Sequence, residues 1–154
     1  MFASRARQRS LSVYHLHMGG SNGDALEWRA LLAPRYEAKL KGMGVSFVTS
    51  AEDADIVAVT GLLTRGNLDA VLAELSSMPS PSVLIAAGDC AINGGSWAKL
   101  EMPGLEPYPL SHYADVHITV PGSPPLPQAL IEALVAAANI LAQPGERLTG
   151  WQDS

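Results

Sequence analysis

Cysteine is almost missing from this chain of 154 residues, which has only Cys90. One cysteine excludes an internal disulfide and gives no sign of an oxidising compartment. Charge is also scarce. Asp, Glu, Lys and Arg make up 16% of the residues, against about 25% in a typical soluble domain, so much of the surface is expected to be covered by partners. Positive charge is the scarcer sign. The net charge of −5 argues against nucleic acid, whose phosphates need a basic face. Long hydrophobic runs are missing too. The most apolar stretch, Ala129 to Ala142, is interrupted by Glu132 and falls short of the roughly 20 residues that span a bilayer. Such a chain does not cross a membrane by itself, although it can sit beside one. Residues Ser4 to Arg9 are basic and polar and lead straight into a strand-like run. They read as a frayed N-terminus rather than a secretory signal, with a contact to a partner or to lipid headgroups as the alternative.

What is present is an alternation of strands and helices. Leu11 to His17 reads as a strand, and Met18 to Asp24 as a loop containing Gly19, Gly20 and Gly23. A helix is expected over Ala25 to Ala33, with Asp24 as N-cap, Glu27 three residues on, and Pro34 near its end. Further strands are predicted at Val45–Val48, Asp55–Thr60, Ser82–Ala87 and Val116–Val120. Asn67 can cap a helix that carries Leu68, Val71, Leu72 and Leu75 on one stripe. Asp89 to His112 reads as irregular, Pro121 to Pro127 as a proline-rich turn, and Pro127 to Leu141 as the last helix. Two of the strands are continuous apolar runs, as in a parallel sheet buried on both faces. The expected architecture is a three-layer α/β/α domain with a mostly parallel, flavodoxin-like sheet over residues 11–142. An N-terminal extension (1–10) precedes it and a tail (143–154) follows. No internal repeat, low-complexity tract or second domain is visible. Sites in such sheets form at the carboxyl ends of strands, which selects the loops after His17, Ala87 and Val120.

Those loops carry a family pattern. Asp53–Thr64 (DADIVAVTGLLT), Met78–Gly95 (MPSPSVLIAAGDCAINGG) and Val116–Leu134 (VHITVPGSPPLPQALIEAL) resemble the B-type subunit of respiratory complex I and the small subunit of energy-converting membrane-bound hydrogenases. The opening Val13–Asp24, ending GGSNGD, is similar to the hydrogenase branch, whose loop reads CNGC. The resemblance covers roughly residues 12 to 142 in unbroken order. It implies one [4Fe–4S] cluster held by four cysteines, two in the first loop, one after G-x and one inside PGCPP. Residue by residue, those positions are Ser21, Asp24, Cys90 and Ser123, and only Cys90 is a cysteine.

That departure has a physical consequence. Clusters of this kind are held by thiolates, which form readily because a cysteine pKa is about 8.5 and metal lowers it further. Serine is a far weaker acid, and aspartate is a hard oxygen donor better suited to magnesium or calcium. A bound cluster is therefore not expected. Each residue also has a plainer role. Asp24 suits a helix start, Ser21 a glycine-rich turn, Ser123 a hydrogen-bonded turn, and Cys90 a small buried apolar position. A polar hydrogen-bonded cluster is expected to fill the space.

Other chemistry finds less support. A substitute metal site from His17, Asp24, Asp89 and Cys90 is conceivable, since zinc accepts nitrogen, sulfur and oxygen, but no paired-ligand spacing announces it. His15 shares a strand face with His17, while His112 and His117 flank the fifth strand. They read as partly buried or interfacial. The Gly19–Gly23 loop lacks the spacing of a phosphate cradle, and Ser21 is not in a G-x-S-x-G elbow. Trp97, Leu100, Met102, Leu105 and Trp151 either pack locally or dock a large subunit.

The resemblance therefore implies a cofactor-free structural or coupling small subunit of a complex I-like or hydrogenase-like membrane assembly, with no catalytic residues of its own. Its partners would be a large subunit of hydrogenase or complex I type, antiporter-like membrane subunits and a ferredoxin-like subunit, with no nucleic acid. Its place would be cytoplasmic, peripheral on the inner face of the cell membrane. The alternatives are an electron-transfer subunit with a modified iron–sulfur cluster and a metal-dependent enzyme reusing the vacated pocket.

Overall fold

The computed structural model describes residues 10–20, 23–99 and 107–142. The apolar runs form five parallel strands: β1 (Leu11–His17), β2 (Val45–Val48), β3 (Ile56–Thr60), β5 (Val83–Ala87) and β7 (Ile118–Val120). They are ordered β2-β1-β3-β5-β7. Two short strands, β4 (Leu63–Thr64) and β6 (Pro107–Tyr108), pair antiparallel beside this sheet. Among the five parallel strands the order is that of a flavodoxin-like doubly wound sheet, with its switch point between β1 and β3.

β3 and β5 are buried at every position because helices cover both faces, and the pleat divides their residues between two cores. Ile56, Ala58, Val83, Ile85 and Ala87 meet Trp28, Leu31, Leu40, Leu130 and Leu134 on one face. These last five come from α1 (Gly23–Ala30), the turn after it, α2 (Pro34–Gly42) and α5 (Pro127–Ala142). Val57, Val59, Leu84 and Ala86 turn to the other face, against Val71 of α3 (Leu68–Ser76), Ala91 of α4 (Asp89–Asn93) and Leu110. Each fully buried Leu or Ile contributes roughly 1.5–3 kcal/mol, so the two cores together lock the strand register. That register brings the three family loops to one edge.

Several expectations need correction. α1 opens at Gly23 and ends at Ala30, so Asp24 lies inside the first turn rather than at the cap, and the helix stops before Ala33. Pro34 does not simply end that helix. It occupies the first turn of a second one, α2, where its missing N–H costs nothing. The segment after Asp89 is not wholly irregular, since it opens with α4 and continues as a 3₁₀ turn over Gly95–Lys99. Strands expected from Asp55, Ser82 and Val116 begin at Ile56, Val83 and Ile118, within the usual fraying of element ends. Ser21, Leu100, Met102, Leu105 and Trp151 lie outside the described residues, as does the side chain of Asp24.

Candidate functional site

The carboxyl edge is held together by hydrogen bonds between loops. After β5, Gly88 adopts φ +93°, a conformation that glycine takes without penalty. Its N–H donates to Val120 O at 2.8 Å. The next residue joins the same neighbour twice: Asp89 N–H donates to Gly122 O at 2.9 Å, and Gly122 N–H donates to Asp89 Oδ1 at 2.8 Å. The loop after β7 is thereby fixed to the start of α4. Cys90 follows Asp89 and is buried, with 5% of its surface exposed. A Cβ on Gly95 would sit 3.3 Å from the Cys90 Sγ, so glycine there lets the chain close over the thiol. Ser123 is exposed. With Asp89, Asn93, Gly95 and Ser96 it lines an open, polar hollow of about 360 Å³.

The switch point is built as tightly. Met18 N–H donates to Thr60 O at 2.8 Å, and Leu62 N–H donates to Gly19 O at 2.9 Å. Asn67 occupies the N-cap position of α3, in line with the sequence, but its side chain makes no cap bond. Instead its Oδ1 accepts from Thr64 N–H at 2.8 Å, and its Nδ2 donates to Met18 O at 2.8 Å and to Leu62 O at 2.9 Å. One amide therefore ties the loop after β1 to the loop after β3.

The buried Thr60 hydroxyl lies between two imidazoles, 2.7 Å from His15 Nε2 and 2.9 Å from His17 Nδ1. The His15 ring also stacks near Trp28, with centroids 5.4 Å apart. Burial, then the neighbouring His17 and Arg29, push the His15 imidazolium down to about pKa 4, which leaves the ring neutral at pH 7. His117 serves the backbone: its Nδ1 accepts from Leu84 N–H at 3.0 Å, while its backbone N–H donates to Leu84 O at 2.9 Å. His112 is exposed.

Of the four positions singled out, the described residues place Cys90 and Ser123 on adjacent loops at this edge. Of the conceivable substitute metal set, Asp89 is engaged with Gly122 and His17 with Thr60. Among the described residues, no three His, Cys, Asp or Glu side chains converge to hold a metal ion. Thr60, the loop-tying role of Asn67 and the clamping role of Asp89 were not foreseen. Thr60 had a visible signal, as the one polar residue closing the apolar strand IVAVT. The pairings of Asn67 with Met18 and of Asp89 with Gly122, across 49 and 33 residues, had none.

A doubly wound parallel sheet whose carboxyl-edge loops are tied in two pairs, after β1 with after β3 and after β5 with after β7, defines the class, a flavodoxin-like α/β domain. The chain belongs to the family described as NADH ubiquinone oxidoreductase, 20 Kd subunit, which it matches across residues 21–137. It is 37% identical over 135 residues to the probable membrane-bound hydrogenase subunit mbhJ of Pyrococcus furiosus, covering 88% of this chain and 78% of that one. It is 32% identical to formate hydrogenlyase subunit 7 of Escherichia coli, over 88% of this chain and 51% of that longer protein. A relative from the NADH-quinone oxidoreductase of Clostridium beijerinckii is also 32% identical, over 79% of this chain and 70% of the relative. In fold, a chain of the archaeal membrane-bound sulfane sulfur reductase superposes with a TM-score of 0.72 at 24% identity, over 92% of this chain and 75% of that one.

The family normally binds a [4Fe–4S] cluster, and the donor set here does not fit one. A cubane of this kind takes four thiolates, whereas this chain has a single cysteine. Serine and aspartate oxygens are hard donors, poorly matched to a soft cluster.

Proposed function

We propose that this chain is a cofactor-free structural and coupling subunit of a complex I-like or hydrogenase-like membrane assembly. The observation that carries this reading is the donor count, one thiol where the family's cluster needs four. On this reading Ser21, Asp24, Cys90 and Ser123 are vacated ligand positions in a domain spanning residues 11–142, between an N-terminal extension (1–10) and a C-terminal tail (143–154). The chain docks a large subunit of hydrogenase or complex I type to an antiporter-like membrane arm, with a ferredoxin-like subunit as a further neighbour. It lies peripherally on the inner face of the cell membrane. No helix among the described residues is long and apolar enough to cross a membrane, so attachment would run through partners or the surface of the domain.

Support comes from how the loops are held. In a cluster-bearing relative, the metal centre would bridge the loops after β1, β5 and β7. Here the Asp89–Gly122 pair joins the last two, and Asn67 ties the first to the loop after β3. Hydrogen bonds to buried backbone groups are costly to lose, so protein contacts alone can keep a docking edge in shape. What such a subunit transmits is position rather than electrons.

The test is the iron and labile sulfide content of the anaerobically purified, untagged assembly, together with its visible absorption. The expected result for this subunit is neither iron nor sulfide. Stoichiometric iron and sulfide assigned to it would overturn the reading in favour of an electron-transfer subunit with a modified cluster. Another bound metal, lost in Cys90→Ala, would favour a metal-dependent enzyme.

A further inference from the structure

Thr60 ends β3 opposite His17 of β1, on the sheet face that Trp28 of α1 covers. Its hydroxyl is fully buried. Among the described residues it has two partners, His15 Nε2 at 2.7 Å and His17 Nδ1 at 2.9 Å. A hydroxyl has one proton to give and lone pairs with which to accept, and a neutral imidazole donates from one nitrogen and accepts at the other. Two arrangements use every group. In the first, His15 Nε2–H donates to the Thr60 oxygen and the Thr60 O–H donates to His17 Nδ1, so both rings carry their proton on Nε2. In the second, His17 Nδ1–H donates to Thr60 and the Thr60 O–H donates to His15 Nε2, so both rings carry it on Nδ1. A mixed pair fails. Two donors facing the oxygen leave the buried O–H without an acceptor, and two acceptors facing it compete for one proton. Either leaves a buried polar group unmet, which is costly.

The outer nitrogens of the two rings are thereby tied to each other. His15 lines a shallow groove of about 340 Å³ with Trp28, Arg29, Phe47 and Thr49, and Nδ1 is the ring nitrogen not engaged with Thr60. At the other end, His17 lies under the crossing of the loops after β1 and β3. A Cβ on Gly61 would sit 3.0 Å from His17 Cε1 and 2.5 Å from Gly19 O. One hydroxyl therefore stands between a surface groove and the switch point of the sheet.

We propose that His15, Thr60 and His17 form a two-state hydrogen-bond relay that couples this groove to the loop crossing at Gly19 and Gly61. A group in the groove that donates to His15 Nδ1 selects the first arrangement and makes His17 Nε2 an N–H. A group that accepts from His15 Nδ1 selects the second and makes His17 Nε2 a bare acceptor. Passing from the second to the first takes one proton from water at His17 Nε2 and returns one to water at His15 Nδ1. Between them one proton shifts from His17 Nδ1 to Thr60 and another from Thr60 to His15 Nε2, so the trio keeps its proton count and charge. An element with two discrete arrangements that both ends bias is what physical coupling between sites requires. The relay stands on this geometry alone. Iron found at the carboxyl edge would not touch it, and its failure would leave the scaffold reading standing.

The test is the tautomer of each ring, read by NMR from the ring-nitrogen chemical shifts of the full chain at about pH 8, above the ordinary imidazole range. In the wild type, His15 and His17 should show the same tautomer, or the same ratio of the two. Thr60→Val removes the hydroxyl and keeps nearly the same shape. The ring that donated to the hydroxyl then has no acceptor and should move its proton to its other nitrogen, while the other ring stays as it was, so the match is lost. Thr60→Ser supplies a hydroxyl again and should keep the match. A hydroxyl with a merely structural role would change stability in Thr60→Val without moving the nitrogen shifts of either ring. Opposite tautomers in the wild type, or two unchanged rings in Thr60→Val, would each overturn the proposal. Should Thr60→Val fail to fold, the wild type and Thr60→Ser still decide, since a mismatch in either sinks the relay.

Discussion

Asp89 and Gly122 hold each other in both directions: the backbone N–H of Asp89 donates to the carbonyl of Gly122 at 2.9 Å, and the N–H of Gly122 donates to the carboxylate of Asp89 at 2.8 Å. The pair joins the loop after β5 to the loop after β7. Asp89→Ala removes the acceptor and leaves a half-buried N–H without it, at a cost of about 1–3 kcal/mol. Asp89→Asn keeps a side-chain oxygen at the same place and should recover most of that. Chemical denaturation gives the stability, and hydrogen exchange at the Gly122 amide gives the local effect. Unchanged exchange at Gly122 in Asp89→Ala would show that the carboxylate does not hold the loop.

Asn67 should behave differently from an ordinary helix cap. Its amide accepts from Thr64 N–H and donates to the carbonyls of Met18 and Leu62. Asn67→Ala loses all three bonds, and a loss of about 1–3 kcal/mol is expected. A capping role would let Asn67→Asp restore stability, because aspartate is as good an N-cap as asparagine. Here aspartate would face two carbonyl oxygens with no hydrogen to give, so it should be no better than alanine. Denaturant midpoints of the two variants decide between the roles, and near-wild-type stability in Asn67→Asp would favour the cap.

Much of the fold was legible because burial on two faces leaves a plain mark. Ile56–Val59 and Val83–Ala87 are unbroken apolar runs, and β1 and β2 begin and end where their residue types suggested. α2 was missed because only Leu40 of its nine residues is buried, too little to make a stripe, and because Pro34 reads equally well as the end of one helix or the start of the next. β4 and β6 are two residues each, shorter than any pattern can reveal. At the site, Cys90 and Ser123 could be located from motif spacing. The bonds that shape their surroundings could not. They join Asp89 to Gly122 and Asn67 to Met18 across 33 and 49 residues, and nothing local in the sequence encodes such a pairing.

Gly61 marks the closest backbone approach at the switch point. Its φ is +88°, and an added Cβ would lie 2.5 Å from the carbonyl oxygen of Gly19 and 3.0 Å from His17 Cε1. Gly61→Ala therefore combines left-handed strain, about 1–3 kcal/mol, with a clash against backbone that cannot rotate away. A loss of at least about 2 kcal/mol is expected. Gly66→Ala is the control, since its Cβ would meet nothing nearer than Thr64 Oγ1 at 3.8 Å. Equal stabilities for the two variants would mean that the loops after β1 and β3 part without cost.

His15 makes stability depend on pH in a defined window. In the folded chain its pKa is lowered to about 4 by burial, His17 and Arg29, from an ordinary 6.5. Between those values the unfolded chain binds a proton that the folded chain refuses, so stability rises with pH. The contribution of this residue is fully retained above about pH 6.5, declines as the pH falls towards 4, and is flat below that. Carboxylates also titrate at the lower end of the window, so the useful quantity is the difference between wild type and His15→Gln. The variant should lose the part of the slope lying between pH 4 and 6.5. The His15 ring proton shifts in NMR should pass through pH 6.5 without a titration step. A step near 6.5, or identical slopes for the two proteins, would mean that the ring is open enough to water to charge normally and that the Thr60 hydroxyl does not keep it inside.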